Sequence, residues 1–516
     1  MIQKITTAVF VLTLSLLSLN LYGQNSRILT LSDYTYEYIQ RLQHRGNMLD
    51  LDPTVLPYSY GQVKKSIATI DEKALSKNEK IWLSFIKDRV NLNEGEDNEV
   101  GTEFSSSPVL SDTERLDPID PLNQNLYVYP SATLTGYVEK DDFVGQFSFR
   151  HDYYYDQDPD GFDSAKRLFI RSEDSYVGYQ KPGIKIMLGR YNHHWGKYGE
   201  ASSIISTNAR SFDNLNISLG GKYFSFQSII GELNDLSENG NFVEETYFEE
   251  GSTNRFISIH RLNIHPTPKL RISFFESILY SGNNSGVSLK YSNPLLMHVF
   301  VSDNFPWDET NNLLIGGMVW TQFRNITLNG QLLIDDFEHT TNEGEPVTFT
   351  FLSSISYATK SSVMDLNLEF EAVSYQTYNT DNAEGRYLYL NRGIGTPTND
   401  YIKIKLYPEL FLDQYLRGLM VAPYVTYYSK GEQVINQDFN RRNPDGSVID
   451  VILTGQEENT FRGGIHVLYQ PNSNFWFELD TGYNHIANYQ NIAGRSASRL
   501  VTIFKAGFRV GLYGNN

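Results

Sequence analysis

A strict alternation of apolar and polar side chains constrains this chain more than any other feature. Between Met364 and Ala372 the sequence reads Met-Asp-Leu-Asn-Leu-Glu-Phe-Glu-Ala, so every second side chain is apolar and the others are polar. Because successive side chains of a strand point to opposite faces, this pattern predicts a strand between an apolar and a polar medium. The alternation returns in Phe143–Phe149, Ile326–Ile334, Phe475–Tyr483 and Thr502–Leu512. The chain is therefore predicted to be all-β.

The first residues have the features of an export signal. Lys4 precedes an apolar run from Ala8 to Leu21, and Tyr22 to Gln24 follow it. We predict a signal peptide over residues 1–23, after which the mature chain is exported. A membrane-anchoring helix is the alternative, but the run is short and the segment after it is polar.

Composition separates a membrane barrel from a soluble protein. The 516 residues include no cysteine, which excludes disulfides, thiolate metal sites, cysteine nucleophiles and a lipoprotein anchor. A mean hydropathy of −0.39 is polar for a membrane protein, yet in a barrel only alternate strand residues face lipid. The 35 tyrosines and 30 phenylalanines suit the aromatic girdles of such a barrel. The net charge of −18 argues against a nucleic-acid partner.

Residues 24–100 carry helical signals instead. Leu31, Tyr34, Tyr38 and Leu42 keep helical spacing, and Ser76 with Glu79 predicts a capping box before another apolar helix. We therefore predict a small periplasmic helical region over residues 24–100, acting as a cap or plug. The β-barrel is assigned to residues 101–516.

The connections between the predicted strands alternate in length. Short connections lie at 139–142, 181–183, 265–268, 324–325, 360–361, 471–474 and, somewhat longer, 408–417. Long connections lie between them at 151–173, 192–214, 231–253, 281–312, 374–400, 429–459 and 485–497. Short turns on one side and long loops on the other are typical of an outer-membrane barrel. An extra strand within 103–129 gives an even count of about 18 antiparallel strands, with both termini in the periplasm.

Polar strand faces predict the lining of the barrel lumen. Asp365, Asn367, Glu369 and Glu371 share one face of their strand. Paired carboxylates suggest a glycosidase, but residues two apart on one strand show no acid–base asymmetry. We therefore expect lumen lining and no enzymatic activity.

An unusually polar and aromatic stretch begins at Gly189 and enters a long loop. Its rings could stack on sugars and its cations could meet uronate carboxylates. The alternative is a loop that only packs and plugs the barrel mouth, and zinc is disfavoured because adjacent histidines on an extended chain point apart. The candidate polysaccharide-binding residues are Arg190, Tyr191, His193, His194, Trp195, Lys197, Tyr198 and Arg210, with Tyr153 and Tyr154.

Residues 156–161 resemble the first half of a calcium-binding loop. Asp156, Asp158 and Asp160 alternate before Gly161, as hard cations require. The twelfth position is Arg167, where such loops place a bidentate glutamate. Calcium is therefore the one candidate cofactor. The alternative is that residues 156–161 form a solvated acidic loop that binds no ion.

The order of several short motifs resembles the Wzi capsule assembly family. After the signal come Tyr38 to Leu42 with Arg45-Gly46, then Gly189-Arg190, Trp195-Gly196 and Asn208-Ala209-Arg210, and finally Glu276 with Tyr291 to Pro294. The resemblance spans most of the mature chain. It implies an outer-membrane barrel of about 18 strands with a periplasmic helical part and a lumen blocked by loops.

The resemblance also implies a non-enzymatic function at the surface of a Gram-negative cell. Such a protein binds exported polysaccharide and helps attach or organise it as capsule, with polysaccharide and outer-membrane lipid as partners. We expect a monomer. A porin or passive glycan channel is the alternative function, followed by a soluble lectin or hydrolase, while the chain is short for a plug-gated transporter.

Overall fold

The computed structural model describes most of the chain. The described residues are 26–90, 98–161, 170–236, 253–283, 286–294, 296–304, 311–335, 348–438, 440 and 449–515. The predicted signal peptide over residues 1–23 and Arg167 lie outside them.

Eighteen antiparallel strands form one closed barrel. The strands are β1 (Asn98–Ser106 and Val109–Thr113), β2 (Gln124–Tyr129 and Ser131–Lys140), β3 (Phe143–Asp152), β4 (Ile170–Ser172 and Ser175–Lys181), β5 (Ile184–Arg190), β6 (Asp213–Gly220), β7 (Phe224–Glu232), β8 (Thr253–Thr267), β9 (Leu270–Asn283), β10 (Asn312–Phe323), β11 (Ile326–Asp335), β12 (Thr348–Ala358), β13 (Met364–Val373), β14 (Tyr401–Phe411), β15 (Leu419–Lys430), β16 (Glu458–Asn472), β17 (Phe475–Ala487) and β18 (Ser496–Asn515). β1 pairs with both β2 and β18, which closes the barrel.

Proline interrupts the first two strands. The two segments of β1 are separated by Ser107-Pro108, and those of β2 by Pro130. Because proline has no backbone N–H, it cannot donate to the sheet. The extra strand expected within 103–129 is β1, which begins earlier, at Asn98, and ends at Thr113. The predicted count of about 18 strands is confirmed.

The predicted two-residue period is confirmed on β13. Asp365 and Asn367 are only 0% and 2% exposed, whereas Leu366 and Leu368 are both 41% exposed. The polar side chains therefore face the lumen, and the apolar ones face outward, where a membrane barrel meets lipid.

The two ends of the barrel differ as the sequence predicted. All seven predicted short connections join adjacent strands at one end, here called the short-turn end, together with an eighth at 221–223 between β6 and β7. The turn before β5 uses Gly183 at a φ of +84°, and a Cβ there would lie 2.7 Å from the Gly220 carbonyl oxygen. The long connections lie at the opposite, long-loop end and contain α4 (Tyr153–Gln157), α5 (Leu289–Ser292), α6 (His298–Asn304), two 3-10 turns (Ala383–Gly385 and Tyr489–Asn491) and a small hairpin (Leu388–Tyr389 with Arg392–Gly393).

Three helices precede the barrel: α1 (Thr35–His44), α2 (Tyr60–Ile67) and α3 (Lys77–Val90). The predicted capping box is present, because Ser76 N donates to Glu79 Oε2 at 2.7 Å and Glu79 N donates to Ser76 Oγ at 3.3 Å. We call residues 26–90 the helical cap. None of the helices in the described ranges combines the length and apolar character needed to cross a bilayer.

The helical cap is fastened to the short-turn end. Arg45 Nη2 donates to Asp365 Oδ1 at 2.6 Å, and Trp82 Nε1 donates to Asp413 Oδ2 at 2.9 Å in the turn between β14 and β15. Its apolar core includes Phe411 and Leu468 of the barrel wall. The cap therefore shares one core with the barrel that it closes.

A buried ionic cluster also joins the cap to β18. Arg89 Nε of α3 lies 2.7 Å from Asp33 Oδ2, and Arg509 of β18 pairs with the same carboxylate. Burial alone would raise the pKa of Asp33, but the two arginines hold it far below its usual range.

Candidate functional site

The connection between β5 and β6, residues 191–212, folds into the barrel, and we call it the plug loop. Trp195 and Ile204 are both 0% exposed and pack with wall residues such as Leu314. At its deepest point the plug loop reaches the helical cap, where Leu56 N donates to the His194 carbonyl at 3.0 Å. The loop therefore enters from one end of the barrel and contacts the cap at the other.

Most predicted polysaccharide-binding residues belong to this plug loop. The exposed fractions are 1% for Tyr191, 2% for His193, 4% for His194, 0% for Trp195 and 3% for Lys197. Tyr198 stacks on Tyr36 of the cap with ring centroids 5.0 Å apart. Side chains so enclosed are out of reach of a polymer outside the cell. This burial agrees with the alternative prediction, in which the loop only packs and plugs the barrel.

The two histidines of the plug loop are neutral packing groups. Burial lowers the pKa of His193 to about 3 and that of His194 to about 4. His193 Nε2 lies 3.1 Å from Asn214 Oδ1, and His194 Nε2 lies 3.0 Å from the Lys197 carbonyl oxygen. Their separate partners agree with the argument against zinc at this position.

The remaining predicted residues are held by neighbouring side chains. Arg190 pairs with Asp213 at 2.5 Å, and Arg210 lies over the Tyr155 ring at 4.2 Å. The Tyr154 hydroxyl accepts from Leu116 N at 3.2 Å, and the Tyr153 hydroxyl accepts from Gln157 Nε2 at 3.1 Å. Their contact with polysaccharide stays a prediction.

Arginines neutralise two of the three proposed calcium ligands. Arg392 contacts both carboxylate oxygens of Asp158, at 2.5 and 2.6 Å. Arg115 contacts Asp160 at 2.7 Å, while Asp156 lies in α4. Calcium binding stays a prediction, to which this geometry gives no support.

A cavity of about 770 Å³ lies between the plug loop and the long-loop end, and we call it the outer cavity. Glu200 with its neighbours Gly199 and Ala201 belongs to its lining, and exposed Asn436 and Gln437 lie on it as well. The charged and tyrosine side chains that line it are Arg115, Asp117, Asp120, Asp160, Glu200, Glu371, Arg392, Tyr401, Lys403, Lys405, Tyr424, Tyr428, Lys430, Arg462 and Asp480.

Tyrosines and carboxylates are paired on the barrel wall of this cavity. The Tyr401 hydroxyl donates to Glu371 Oε2 at 2.7 Å, and Lys403 Nζ lies 2.5 Å from Glu371 Oε1. The Tyr424 hydroxyl donates to Asp480 Oδ1 at 2.7 Å. These pairs orient hydroxyl, ammonium and carboxylate groups toward one space, as recognition of polyhydroxylated ligands requires.

The loops add a second charged group. Asp120 lies 2.8 Å from Arg115 and 2.9 Å from Lys430. Burial alone would raise the pKa of Asp120, but Lys430 and Arg115 hold it below its usual value. Asp117 has the opposite shift: burial and the neighbouring Asp120 raise its pKa.

Lys405 differs from the other cations of the outer cavity. Its ammonium lies 4.4 Å from the Tyr407 ring centroid and 5.6 Å from that of Tyr424. Among the residues that the structure describes, this ammonium forms no hydrogen bond and no ion pair within 4.0 Å, although Glu369, its cross-strand neighbour on β13, interacts with it electrostatically from beyond that distance. Lys405 is therefore available to an anionic ligand.

The sequence placed Glu371 in the lumen lining but did not identify the tyrosines and lysines of this wall. Tyr401, Lys403 and Lys405 are spaced by two on β14, as are Tyr424 and Tyr428 with Thr426 between them on β15. The period-two pattern that identified the strands is present there as well, but it does not distinguish a binding residue from ordinary lumen lining.

Comparisons with known proteins agree with this architecture. The family model described as capsule assembly protein Wzi matches residues 103–394, more than half of the chain. The chain belongs to the Wzi capsule assembly family. No match is found among curated protein sequences. As a Wzi family barrel, the protein is located in the outer membrane.

Solved structures supply the comparison of the fold. The outer-membrane protein Wzi of Escherichia coli, described as a carbohydrate-binding β-barrel involved in group 1 capsule assembly, aligns with a TM-score of 0.62 and 13% identity, covering 94% of this chain and 99% of that chain. Acinetobacter baumannii OccAB4 aligns with a TM-score of 0.45 and 9% identity over 81% of this chain and 99% of that one. Pseudomonas aeruginosa OccD3 aligns with a TM-score of 0.44 and 11% identity, over 80% of this chain and 91% of that one. At 13% identity, the alignment with the Escherichia coli protein shows the fold of this Wzi family member and not its ligand.

Proposed function

We propose that this protein binds an acidic polysaccharide at the cell surface, through the outer cavity, and helps retain it as capsule without enzymatic activity. The single observation that carries the proposal is the composition of that cavity, in which the partly exposed ammonium groups of Lys403 and Lys430 and the carboxylate of Asp480 line one space. Buried tyrosine hydroxyls, such as that of Tyr424 on Asp480, hold these carboxylates in place. Sugars present hydroxyl groups, and acidic sugars also present carboxylates, which suit the ammonium and carboxylate groups of this cavity.

Lys405 gives the proposal its charge preference. A uronate or other acidic sugar carries an anion that an ammonium can bind by a charge-assisted hydrogen bond. No carboxylate within the described ranges lies within 4.0 Å of the Lys405 ammonium, whereas Lys403 contacts Glu371 and Lys430 contacts Asp120. Glu369 acts on Lys405 only from a longer distance. An acidic repeat unit is therefore favoured over a neutral one.

A polymer does not require tight binding at any one unit. Successive repeats are tethered to each other, so release of one repeat leaves others at high local concentration. Weak contacts at the outer cavity of many barrel copies would then retain one long chain.

The organisation of the chain is also part of the proposal. We infer a signal peptide over residues 1–23, a periplasmic helical region over 24–100 and an outer-membrane barrel over 101–516, with the long-loop end outside the cell. The protein is inferred to act as a monomer, with outer-membrane lipid around the wall.

A matched pair of variants tests the site. Lys405→Met removes the ammonium from the outer cavity, whereas Lys222→Met removes an exposed lysine that also contacts a tyrosine, at 5.4 Å from the Tyr223 ring, but at the short-turn end. A charged hydrogen bond contributes about 1.5–3 kcal/mol, so we expect about 10-fold weaker binding of acidic capsular polysaccharide for Lys405→Met alone. Binding is measured by surface plasmon resonance with purified protein at low and high salt.

Equal binding by the two variants would refute the role of the outer cavity. A matching experiment in cells tests the function itself, by deleting the gene and measuring polysaccharide on cells and in the medium. Transfer of polymer from cells to medium supports retention. An unchanged distribution together with altered uptake of small solutes would favour the alternative of a porin.

A further inference from the structure

Two polar side chains on the outward side of the barrel wall, His260 and Glu276, are buried although they point away from the lumen. Arg261 of β8 faces inward, 5.3 Å from the Trp195 ring, so its neighbours His260 and Leu262 face outward. Leu262 is 41% exposed, as expected of a lipid-facing residue, whereas His260 is only 4% exposed. Its partner across the strand pair, Glu276, is 6% exposed.

A segment of the connection between β9 and β10 covers these residues. We call residues 286–294 and 296–304 the covering segment. Ser258 Oγ donates to the Tyr291 carbonyl at 2.7 Å, and His298 N donates to Glu276 Oε1 at 2.9 Å. Tyr291 and Val301 of the segment also pack on Phe256, Ile278 and Tyr280 of the wall. The covering segment thus brings His298, which is 0% exposed, onto His260 and Glu276.

The three side chains have more donor atoms than protein partners. One potential ligand atom from each of His260, Glu276 and His298 lies within 4.8 Å of the other two. His260 Nε2, His298 Nδ1 and Glu276 Oε2 are buried with no hydrogen-bond partner among the described residues. Unsatisfied buried polar atoms are costly, so each of the three side chains has capacity for one more bond. Of these three atoms, His298 Nδ1 faces Glu276 Oε1, the carboxylate oxygen that also contacts His260 Nδ1.

The geometry is close to that of a metal centre. Glu276 Oε1 lies 3.1 Å from His260 Nδ1 and 3.8 Å from His298 Nδ1. A tetrahedral zinc ion with bonds of about 2.0–2.1 Å needs donors about 3.4 Å apart, which lies between these two distances. His298 Nε2 is 3.3 Å from the Tyr291 carbonyl oxygen. Donation to that carbonyl would leave the Nδ1 lone pair for a metal, as ligating histidines usually arrange.

We propose that His260, Glu276 and His298 bind one zinc ion, with water in the fourth position. Two imidazole nitrogens and one carboxylate form a donor set that suits zinc and not calcium. The metal joins β8 and β9 to α6, so it locks the covering segment on the barrel wall. The site is separate from the outer cavity, since none of its ligands lines that cavity.

Cobalt(II) is a visible probe for the site. The full-length protein, purified in detergent with an affinity tag that lacks histidine and dialysed against a chelator, is titrated with Co²⁺ and then with Zn²⁺. We expect one Co²⁺ per chain, seen as an absorption band that Zn²⁺ abolishes. Glu276→Gln and His298→Gln should each weaken binding at least about 10-fold, since even partners of ligating residues contribute that much. His485→Gln, which changes an exposed histidine 3.3 Å from Ser498, should bind as the parent does.

A second measurement requires no variant. Trypsin cleavage after Lys290, in the covering segment, should be at least about 10-fold slower with zinc than with chelator if the metal holds α6 in place. Folding of every sample is checked by heat-modifiable migration in gels. A folded parent protein without a saturable cobalt band, or folded Glu276→Gln and His298→Gln proteins that retain the band, would overturn the proposal.

Discussion

Replacing Asp33 by asparagine tests whether the buried ionic cluster holds the helical cap in the barrel. The substitution keeps the size of the side chain but removes the charge that faces Arg89 and Arg509. Asp33 is 1% exposed, and the side chains of Arg89 and Arg509 are 5% and 8% exposed. Water therefore has little access to the two cations that the substitution leaves behind.

The magnitude follows from this burial. Removal of one partner from a buried ion pair costs about 3–5 kcal/mol. Arg89 keeps Glu103 at 2.9 Å, so the lower value applies, whereas Arg509 is left facing the Trp476 ring at 5.1 Å. A loss of about 3 kcal/mol raises the equilibrium for opening of the cap about 150-fold.

Limited proteolysis measures this opening. At low trypsin concentration the cleavage rate follows the population of the open form, so cleavage within residues 26–90 should be about 150-fold faster in Asp33→Asn. Asp88→Asn is the matched control, since it removes an ion pair between Asp88 of the same cap and Arg417 of the β14–β15 turn, whose side chains are 52% and 49% exposed. Such a surface pair contributes at most about 1 kcal/mol, or about fivefold.

Two results would refute the reasoning. If Asp33→Asn is cleaved no faster than Asp88→Asn, the cluster does not fasten the cap. If cleavage spreads equally into the barrel strands, the substitution has destabilised the whole fold and not the docking of the cap.

Three further predictions concern the plugged lumen, the pH dependence of cap docking and the packing of the plug loop. In planar bilayers the parent protein should show little steady conductance, because the plug loop and the helical cap both obstruct the barrel. Replacing residues 193–209 by a short Gly-Ser linker in the Asp33→Asn background, in which the cap is loosened, should produce an open channel; an equally conducting parent would contradict a plugged lumen. Because the folded pKa of Asp33 lies below its unfolded value, its stabilisation is complete above about pH 4 and is lost as pH falls further. Cap opening, followed by tryptophan fluorescence, should therefore be flat between about pH 8 and 5 and increase below about pH 4. Trp195→Ala, which leaves a void around a fully buried side chain, should cost about 3–5 kcal/mol in equilibrium unfolding, and a loss below about 1 kcal/mol would argue against tight packing of the plug loop.

The barrel was predictable because its pattern is local. Alternation at Met364–Ala372 needs only the two faces of one strand, and the turn at 181–183 needs only Pro182 and Gly183. β1 has no clear strand signal of its own, and it was predicted because an outer-membrane barrel requires an even number of strands. Pro108 and Pro130 obscure that signal by dividing β1 and β2 into segments.

The position of the binding residues was not predictable in the same way. A polar aromatic loop has the same composition whether it points to solvent or folds inward, and burial of Trp195 depends on contacts with distant residues such as Leu314. The His260–Glu276–His298 group joins two adjacent strands with a helix, so no sequence spacing reveals it. Strand register would have paired His260 with Glu276, but the position of His298 depends on how α6 lies on the wall.

The plug loop has a mechanical consequence for a protein that holds a long polymer. Glu200 lies on the outer cavity, while Tyr198, two residues earlier, stacks on Tyr36 and accepts a hydrogen bond from Gln40 of the helical cap at 3.1 Å. Tension on a chain bound at the cavity would be carried along this backbone into the cap, instead of being borne by the outer loops alone. The short-turn end of the barrel would then resist the force, and pulling on the polymer would work against the cluster around Asp33.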